Sequence, residues 1–153
     1  MESIYAKGRD NSRTPMQWDN TVNAGFTMGT PWIKVNPNYI NINVQAAISN
    51  PDSIYHYYRK LISLRKKHKV IVYGSYDLLL ENHSEIFAYK RALDGETVIV
   101  ICNFSEKEIK TSFLEDIPRA SCERLLSNYP NSDKRVGGEI NLRAYEVQVY
   151  LLK

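Results

Sequence analysis

The sequence is poor in residues that staple a chain or hold a metal. It has two cysteines in 153 positions. Cys102 lies in the apolar run Val98-Ile99-Val100-Ile101-Cys102, and Cys122 opens another strand-like stretch. Neither has a CxxC partner or a His/Cys cluster beside it, so both read as reduced, buried thiols and no disulfide framework is expected. The three histidines, His56, His68 and His83, stand apart from one another. No pair has ligand spacing, so no metal is expected, and no motif calls for any other cofactor. Long apolar runs are also missing; none approaches the ~20 residues that cross a bilayer, so no membrane partner is expected. The first residues, Met1-Glu2-Ser3-Ile4-Tyr5, lack the basic-then-apolar order of a secretory leader, which suggests a cytoplasmic protein. Charge of one sign is scarce too. Twenty Lys and Arg against seventeen Asp and Glu leave a net +3, too little for a nucleic-acid footprint. What remains is 43% hydrophobic and 24% charged, the balance of an ordinary folded domain.

The composition changes near residue 50. Four of the six prolines fall by that point (Pro15, Pro31, Pro37, Pro51), with asparagines at 11, 20, 23, 36, 38, 41, 43 and 50. No helical or alternating pattern persists there, so residues 1–50 read as loop throughout. Loops longer than about 12–15 residues are uncommon unless functional or disordered. Trp18, Phe26, Trp32, Tyr39 and Ile40 argue against disorder. The expectation is an ordered loop whose tryptophans and Phe26 are packing anchors.

A helix is predicted over 51–68. Asn50 suits its N-cap, Pro51 its first position and Asp52 its positive end. Ile54, Tyr58, Leu61, Ile62 and Arg65 recur at helical spacing, with Tyr55, Tyr57 and Leu64 widening the apolar face. The run Arg65-Lys66-Lys67-His68-Lys69 reads as a solvated last turn that complements the dipole. Strands are predicted next, at Val70–Tyr73, Tyr76–Glu81, Glu85–Leu93, Glu96–Phe104, Glu108–Phe113, Cys122–Ser127, Glu139–Leu142 and Tyr145–Leu152. Asp94-Gly95 is a strong two-residue hairpin signal, and Val98–Ile101 reads as a central strand. Gly137-Gly138 reads as a turn. About eight short strands imply an antiparallel sandwich or Greek key. A long loop and one helix make an odd beginning for such a module. Their apolar and aromatic surface suggests that the first ~70 residues are the end of something larger.

Residues 9–19 read Arg9-Asp10-Asn11-Ser12-Arg13-Thr14-Pro15-Met16-Gln17-Trp18-Asp19. This segment resembles the "RDNxRTPMQWD" stretch of α-glucosidases of the α-amylase superfamily, in the oligo-1,6-glucosidase branch. The likeness continues through Asn23-Ala24-Gly25-Phe26-Thr27, Pro31-Trp32, Val35-Asn36-Pro37-Asn38-Tyr39 and Ile42-Asn43-Val44. It resumes in the helix at Tyr57–Lys66, in Val72-Tyr73-Gly74-Ser75-Tyr76, in Ile86-Phe87-Ala88-Tyr89 and in Leu142-Arg143-Ala144-Tyr145-Glu146. The resemblance implies a mainly β chain. Residues 1–69 would be the last βα loop and helix of a (β/α)8 barrel, and residues 70–153 the antiparallel β-sandwich that follows it, known as domain C.

Such enzymes hydrolyse α-glucosidic bonds with retention, using two carboxyl groups about 5–5.5 Å apart. In the family, the nucleophile, the acid/base and the third carboxylate lie on earlier barrel strands. The loop here holds only Glu2, Asp10 and Asp19 before Asp52. No catalytic residue is therefore expected in this chain, and by itself it should not hydrolyse a glycoside. Arg13 matches the arginine that helps recognise the non-reducing-end glucose; a planar guanidinium can bind a hydroxyl and a carboxylate together. The other reading of Arg13 is a brace for its own loop, and Arg9 and Asp10 read as flanking braces. The leading expectation is the C-terminal part of an oligo-1,6-glucosidase-like hydrolase, with an α-glucosidic oligosaccharide as the parent's substrate. The missing barrel, or a second copy of the chain, would cover the exposed loop and helix. The alternatives are part of a trehalose-6-phosphate hydrolase or dextran glucosidase, or a free-standing sandwich that binds carbohydrate or protein. A helix face packed on the chain's own sheets would favour the last of these; a bare one would favour the first.

Overall fold

In the computed structural model, residues 8–112, 122–130 and 138–153 are described. Two compact units divide at Arg59/Lys60.

The first unit is an ordered loop with little regular structure. Single 3₁₀ turns at Asp10–Ser12 and Pro37–Ile40 precede a short helix, α1 (Val44–Ser49). This corrects the expectation of loop throughout 1–50. Asn43 explains the helix: its Oδ1 accepts from the N–H of Ala46 at 2.8 Å, and its Nδ2 donates to the carbonyl of Tyr39 at 2.8 Å. The next helix, α2 (Ile54–Lys67), begins later than predicted. Asn50 closes α1 instead of opening α2, and its Oδ1 takes the N–H of Asp52. Ser53 stands in the capping place, with its Oγ 3.4 Å from the N–H of His56. The basic residues Arg65, Lys66 and Lys67 fill the last turn of α2 and are exposed, as the dipole favours, whereas His68 is buried and departs from the expected solvated run.

The predicted packing anchors are not buried. Trp32 is 94% exposed, and Trp18 and Phe26 are about half exposed. Along α2, Ile54 (78%), Tyr58 (62%) and Ile62 (52%) are bare, and Leu61 is more than one-third exposed.

In the second unit, α3 (Val70–Tyr73) replaces the predicted strand at those residues. A run of three β-branched residues and a tyrosine does not separate a strand from a helical turn packed on a sheet. Here Val70 and Ile71 turn inward onto a sheet and belong to a core with Leu64, Leu93, Val98, Leu125 and Leu151.

Seven strands follow among the described residues: β1 (Asp77–Leu79), β2 (Ile86–Leu93), β3 (Glu96–Asn103), β4 (Ile109–Thr111), β5 (Cys122–Ser127), β6 (Ile140–Leu142) and β7 (Val147–Leu152). Phe113 and Gly137, named in the predicted strand and turn, lie outside the described residues. Antiparallel sheet dominates, as the sequence predicts. Five strands pair in the order β1-β2-β3-β7-β5, and β4 pairs with β6. The β2–β3 hairpin keeps register over eight pairs, from Ile86↔Asn103 to Leu93↔Glu96. Its tip, Asp94 (φ +50°) and Gly95 (φ +86°), has the two positive φ values that a type I′ turn needs.

Alternation sends the large sheet's two faces to different partners. Ile86 and Ala88 of β2, Ile99 and Ile101 of β3 and Tyr150 of β7 form one core with Ile140 and Leu142 of the small sheet. The opposite face carries Leu93, Val98 and Leu151, which meet α3 and the end of α2. Both thiols are half-buried, not buried as expected. Burial pushes the Cys102 thiol above its ordinary pKa, which keeps it protonated and unreactive.

Candidate functional site

The segment that carries the sequence likeness is built from backbone hydrogen bonds. Gln17 is its hub. Its carbonyl accepts from the N–H of Val44 at 2.9 Å, and its Nε2 donates to Asn38 Oδ1 at 2.9 Å and to the carbonyl of Ile42. The carbonyl of Trp18 accepts from the N–H of Gln45 at 3.0 Å. Residues 17–18 are thus fixed to residues 38–45.

Residues 23–25 then run left-handed in succession, with φ of +55° at Asn23, +58° at Ala24 and +64° at Gly25. L-residues avoid this conformation, so specific contacts must hold it. The Ala24 carbonyl accepts from Trp18 N–H at 2.9 Å and Asp19 N–H at 3.3 Å. Asn23 Nδ2 donates to the carbonyls of Thr27 and Gly29. Asp19 Oδ1 takes both the N–H and the hydroxyl of Thr21, and these bonds, the hydroxyl's first, hold its carboxyl below the usual range. Asp19 therefore serves as a turn anchor. Sequence reasoning missed this turn, although an Asn and a Gly flanking one small residue are its signal.

Arg13 closes the 3₁₀ turn Asp10–Ser12. Its Nε donates to the carbonyl of Arg9 at 3.4 Å, and its fork lies 3.7 Å from Asp10, with both side chains more than half exposed. The structure thus joins Arg9, Asp10 and Arg13 in one turn. An exposed pair of this kind is worth about 0–1 kcal/mol, so little holds the guanidinium from a ligand. Beside it, Thr14, Pro15, Met16, Ile42, Val44 and Tyr55 help line an open concavity of ≈ 420 Å³. Its lining is chiefly apolar, which suits packed side chains better than sugar hydroxyls. Asp10 faces Arg13 and Asp19 faces Thr21, so each loop carboxylate described is engaged locally.

Sequence reasoning also missed Arg91. From β2 its Nη1 donates to the carbonyl of Ile71 at 2.7 Å, Nη2 to Gly74 at 2.7 Å and Val72 at 3.4 Å, and Nε to Ser75 at 3.2 Å. The guanidinium satisfies the carbonyls at the end of α3 and ties them to the sheet. An arginine on an otherwise apolar strand face was the available signal.

Residues 1–74 match the family model described as "Alpha amylase, catalytic domain". Residues 86–149 match "Alpha-amylase SusG C-terminal domain". The chain belongs to the α-amylase family. Within this family it is 54% identical, over all 153 residues, to oligo-1,6-glucosidases of Parageobacillus thermoglucosidasius and Bacillus cereus. It spans 27% of the length of each. Among solved structures, the trehalose-6-phosphate hydrolase of Bacillus licheniformis superposes with a TM-score of 0.86 at 42% identity. That match covers 99% of this chain and 28% of the hydrolase. No helix among the described residues is long and apolar enough to cross a membrane.

Proposed function

We propose that this α-amylase-family chain is the C-terminal part of a retaining α-glucosidase that releases α-1,6-linked glucose from the non-reducing ends of short oligosaccharides. On this reading residues 1–69 are the last βα loop and helix of the catalytic barrel, and residues 70–153 are its C-terminal β-sandwich. The observation that carries the proposal is the unbroken likeness to oligo-1,6-glucosidases from one end of the chain to the other. The bare face of Ile54, Tyr58, Leu61 and Ile62 supports it, because a self-sufficient module would cover such a face. The missing barrel is its natural cover; pairing with a second copy is the alternative for the isolated chain. Arg13 would bind the terminal glucose together with a carboxylate supplied by the rest of the barrel. The chain alone would be catalytically inert, with a structural role, and the parent would work in the cytoplasm. Trehalose-6-phosphate hydrolysis is the second reading, favoured by the 0.86 superposition on such an enzyme.

Two measurements test this. Purified chain should not turn over isomaltose or p-nitrophenyl α-glucoside; measurable hydrolysis overturns the claim of inertness. A chimera in which these 153 residues replace the matching part of the Parageobacillus enzyme should hydrolyse isomaltose, and Arg13→Ala should raise its KM. A folded chimera without turnover would sink the glucosidase reading.

A further inference from the structure

One end of the large sheet's second face is covered and the other is not. Along β2, Leu93, Arg91, Tyr89 and Phe87 share this face. Leu93 packs under α3 and the end of α2, together with Val98, and Arg91 spends its charge on the carbonyls of residues 71–75. Beyond Arg91 the cover stops. Phe87 is 41% exposed, Leu78 42%, Tyr76 55% and Phe104 69%. Leu78 lies opposite Tyr89 in the β1–β2 register, on the same face. The rings form one cluster, with centroids 5.3 Å apart for Tyr76 and Tyr89, 5.6 Å for Phe87 and Tyr89 and 6.4 Å for Phe87 and Phe104.

We propose that this aromatic end, formed by exposed Tyr76, Leu78, Phe87 and Phe104 around a half-buried Tyr89, is the seat of the part of the catalytic domain that lies outside these 153 residues. The inference rests on the reading under Proposed function. Continuity carries it: the covered end of the same face is packed by Leu64, Val70 and Ile71, which fall within the span matching the catalytic-domain model. The only charge on this face of β2 is Arg91, already engaged, so an apolar surface of the same domain can continue across it. A glucan fits less well. The rings are inclined at 33°, 52° and 68° to their neighbours and offer no coplanar platform for successive pyranoses.

Hydroxyl-radical footprinting of the isolated chain and of the Parageobacillus chimera tests the proposal. Tyr76, Phe87 and Phe104 should label readily in the isolated chain and about tenfold more slowly in the chimera, as in a packed interface core. Equal labelling in an isomaltose-hydrolysing chimera overturns the proposal alone, whereas a folded chimera without turnover counts against the glucosidase reading. Protection of the isolated chain by isomalto-oligosaccharide, with the chimera still labelled, overturns it in favour of a sugar surface. Protection that grows with the concentration of isolated chain, again with the chimera labelled, overturns it in favour of a second copy. A second measurement is independent of the chimera's folding in one background. Phe87→Lys with Phe104→Lys should leave the isolated chain's melting midpoint nearly unchanged. In the chimera, or in an equivalent chimera with the Bacillus licheniformis hydrolase, it should lower the midpoint by several degrees. An equal shift in the isolated chain and the chimera overturns the proposal.

Discussion

Gly25 combines a φ of +64° with a crowded neighbourhood: a Cβ built there would stand 2.7 Å from Asp19 Oδ2. Gly25→Ala would therefore meet both the left-handed penalty of roughly 1–2 kcal/mol and the carboxylate that anchors the turn. The expected result is a lower urea midpoint for unfolding. Asp19 gives a pH prediction. Its folded pKa lies below the ordinary 3.8 because of the Thr21 hydroxyl first and the Thr21 N–H second. A depressed carboxylate stabilises the fold fully above its unfolded pKa and loses that contribution as pH falls through the folded value. NMR titration should place Asp19 below 3.8, and Thr21→Val should move it back up. At the other end of the chain, Glu146 is 1% exposed and accepts from Arg143 Nε at 3.0 Å and Nη2 at 3.1 Å. It also takes Gln148 Nε2 at 2.9 Å, and Gln148 accepts the Tyr150 hydroxyl. Arg143 lies 4.0 Å from the centroid of the Tyr129 ring, and its hydrogen bonds to Glu146 raise its pKa. Glu146→Ala removes a buried acceptor of several hydrogen bonds, so it should shift the denaturation midpoint far more than the exposed Glu139→Ala.

At the scale of elements, Arg91 makes α3 part of the sheet. Hydrogen bonds to charged groups contribute about 1.5–3 kcal/mol. Arg91→Met, which keeps the apolar stem, should raise amide exchange at residues 73–75 while the β2–β3 ladder stays protected. The elements also show where the sequence was legible. Asp94-Gly95 declared its hairpin because a type I′ turn demands positive φ at both positions, and few residue pairs supply it. The apolar run in β3 correctly announced a central strand. Val70–Tyr73 misled because four β-branched and aromatic residues look alike in a strand and in a helical turn pressed on a sheet. Asn50 and Pro51 had the chemistry of a helix start, yet Asn43 had already opened α1, leaving Asn50 to close it. The resemblance singled out Arg13, but the Gln17 and Asp19 scaffolds escaped notice because most of their partners are backbone groups, and the side chains of Asn38 and Thr21 that join them follow no periodic pattern.

For the whole molecule, exposed apolar surface is the dominant fact. Trp32, Ile54, Tyr58 and Phe104 are each more than 60% exposed, and exposed apolar surface of this kind favours association. Sedimentation of the isolated chain across a range of concentrations should show mass increasing with concentration, while the chimera stays at one mass. The Arg91 clamp bears on how such chains are inherited. It grips only main-chain carbonyls of residues 71–75, and every amino acid presents the same carbonyl. The matches to the two family models end at residue 74 and begin at residue 86, so Arg91 falls in the second. A genetic exchange between those points would pair a foreign helix end with this strand, and the fork's hydrogen bonds would not depend on its side chains as long as position 74 stays glycine, where a Cβ would stand 2.6 Å from the Val70 carbonyl oxygen. The seam is thus open to recombination between relatives, provided the arginine travels with its strand.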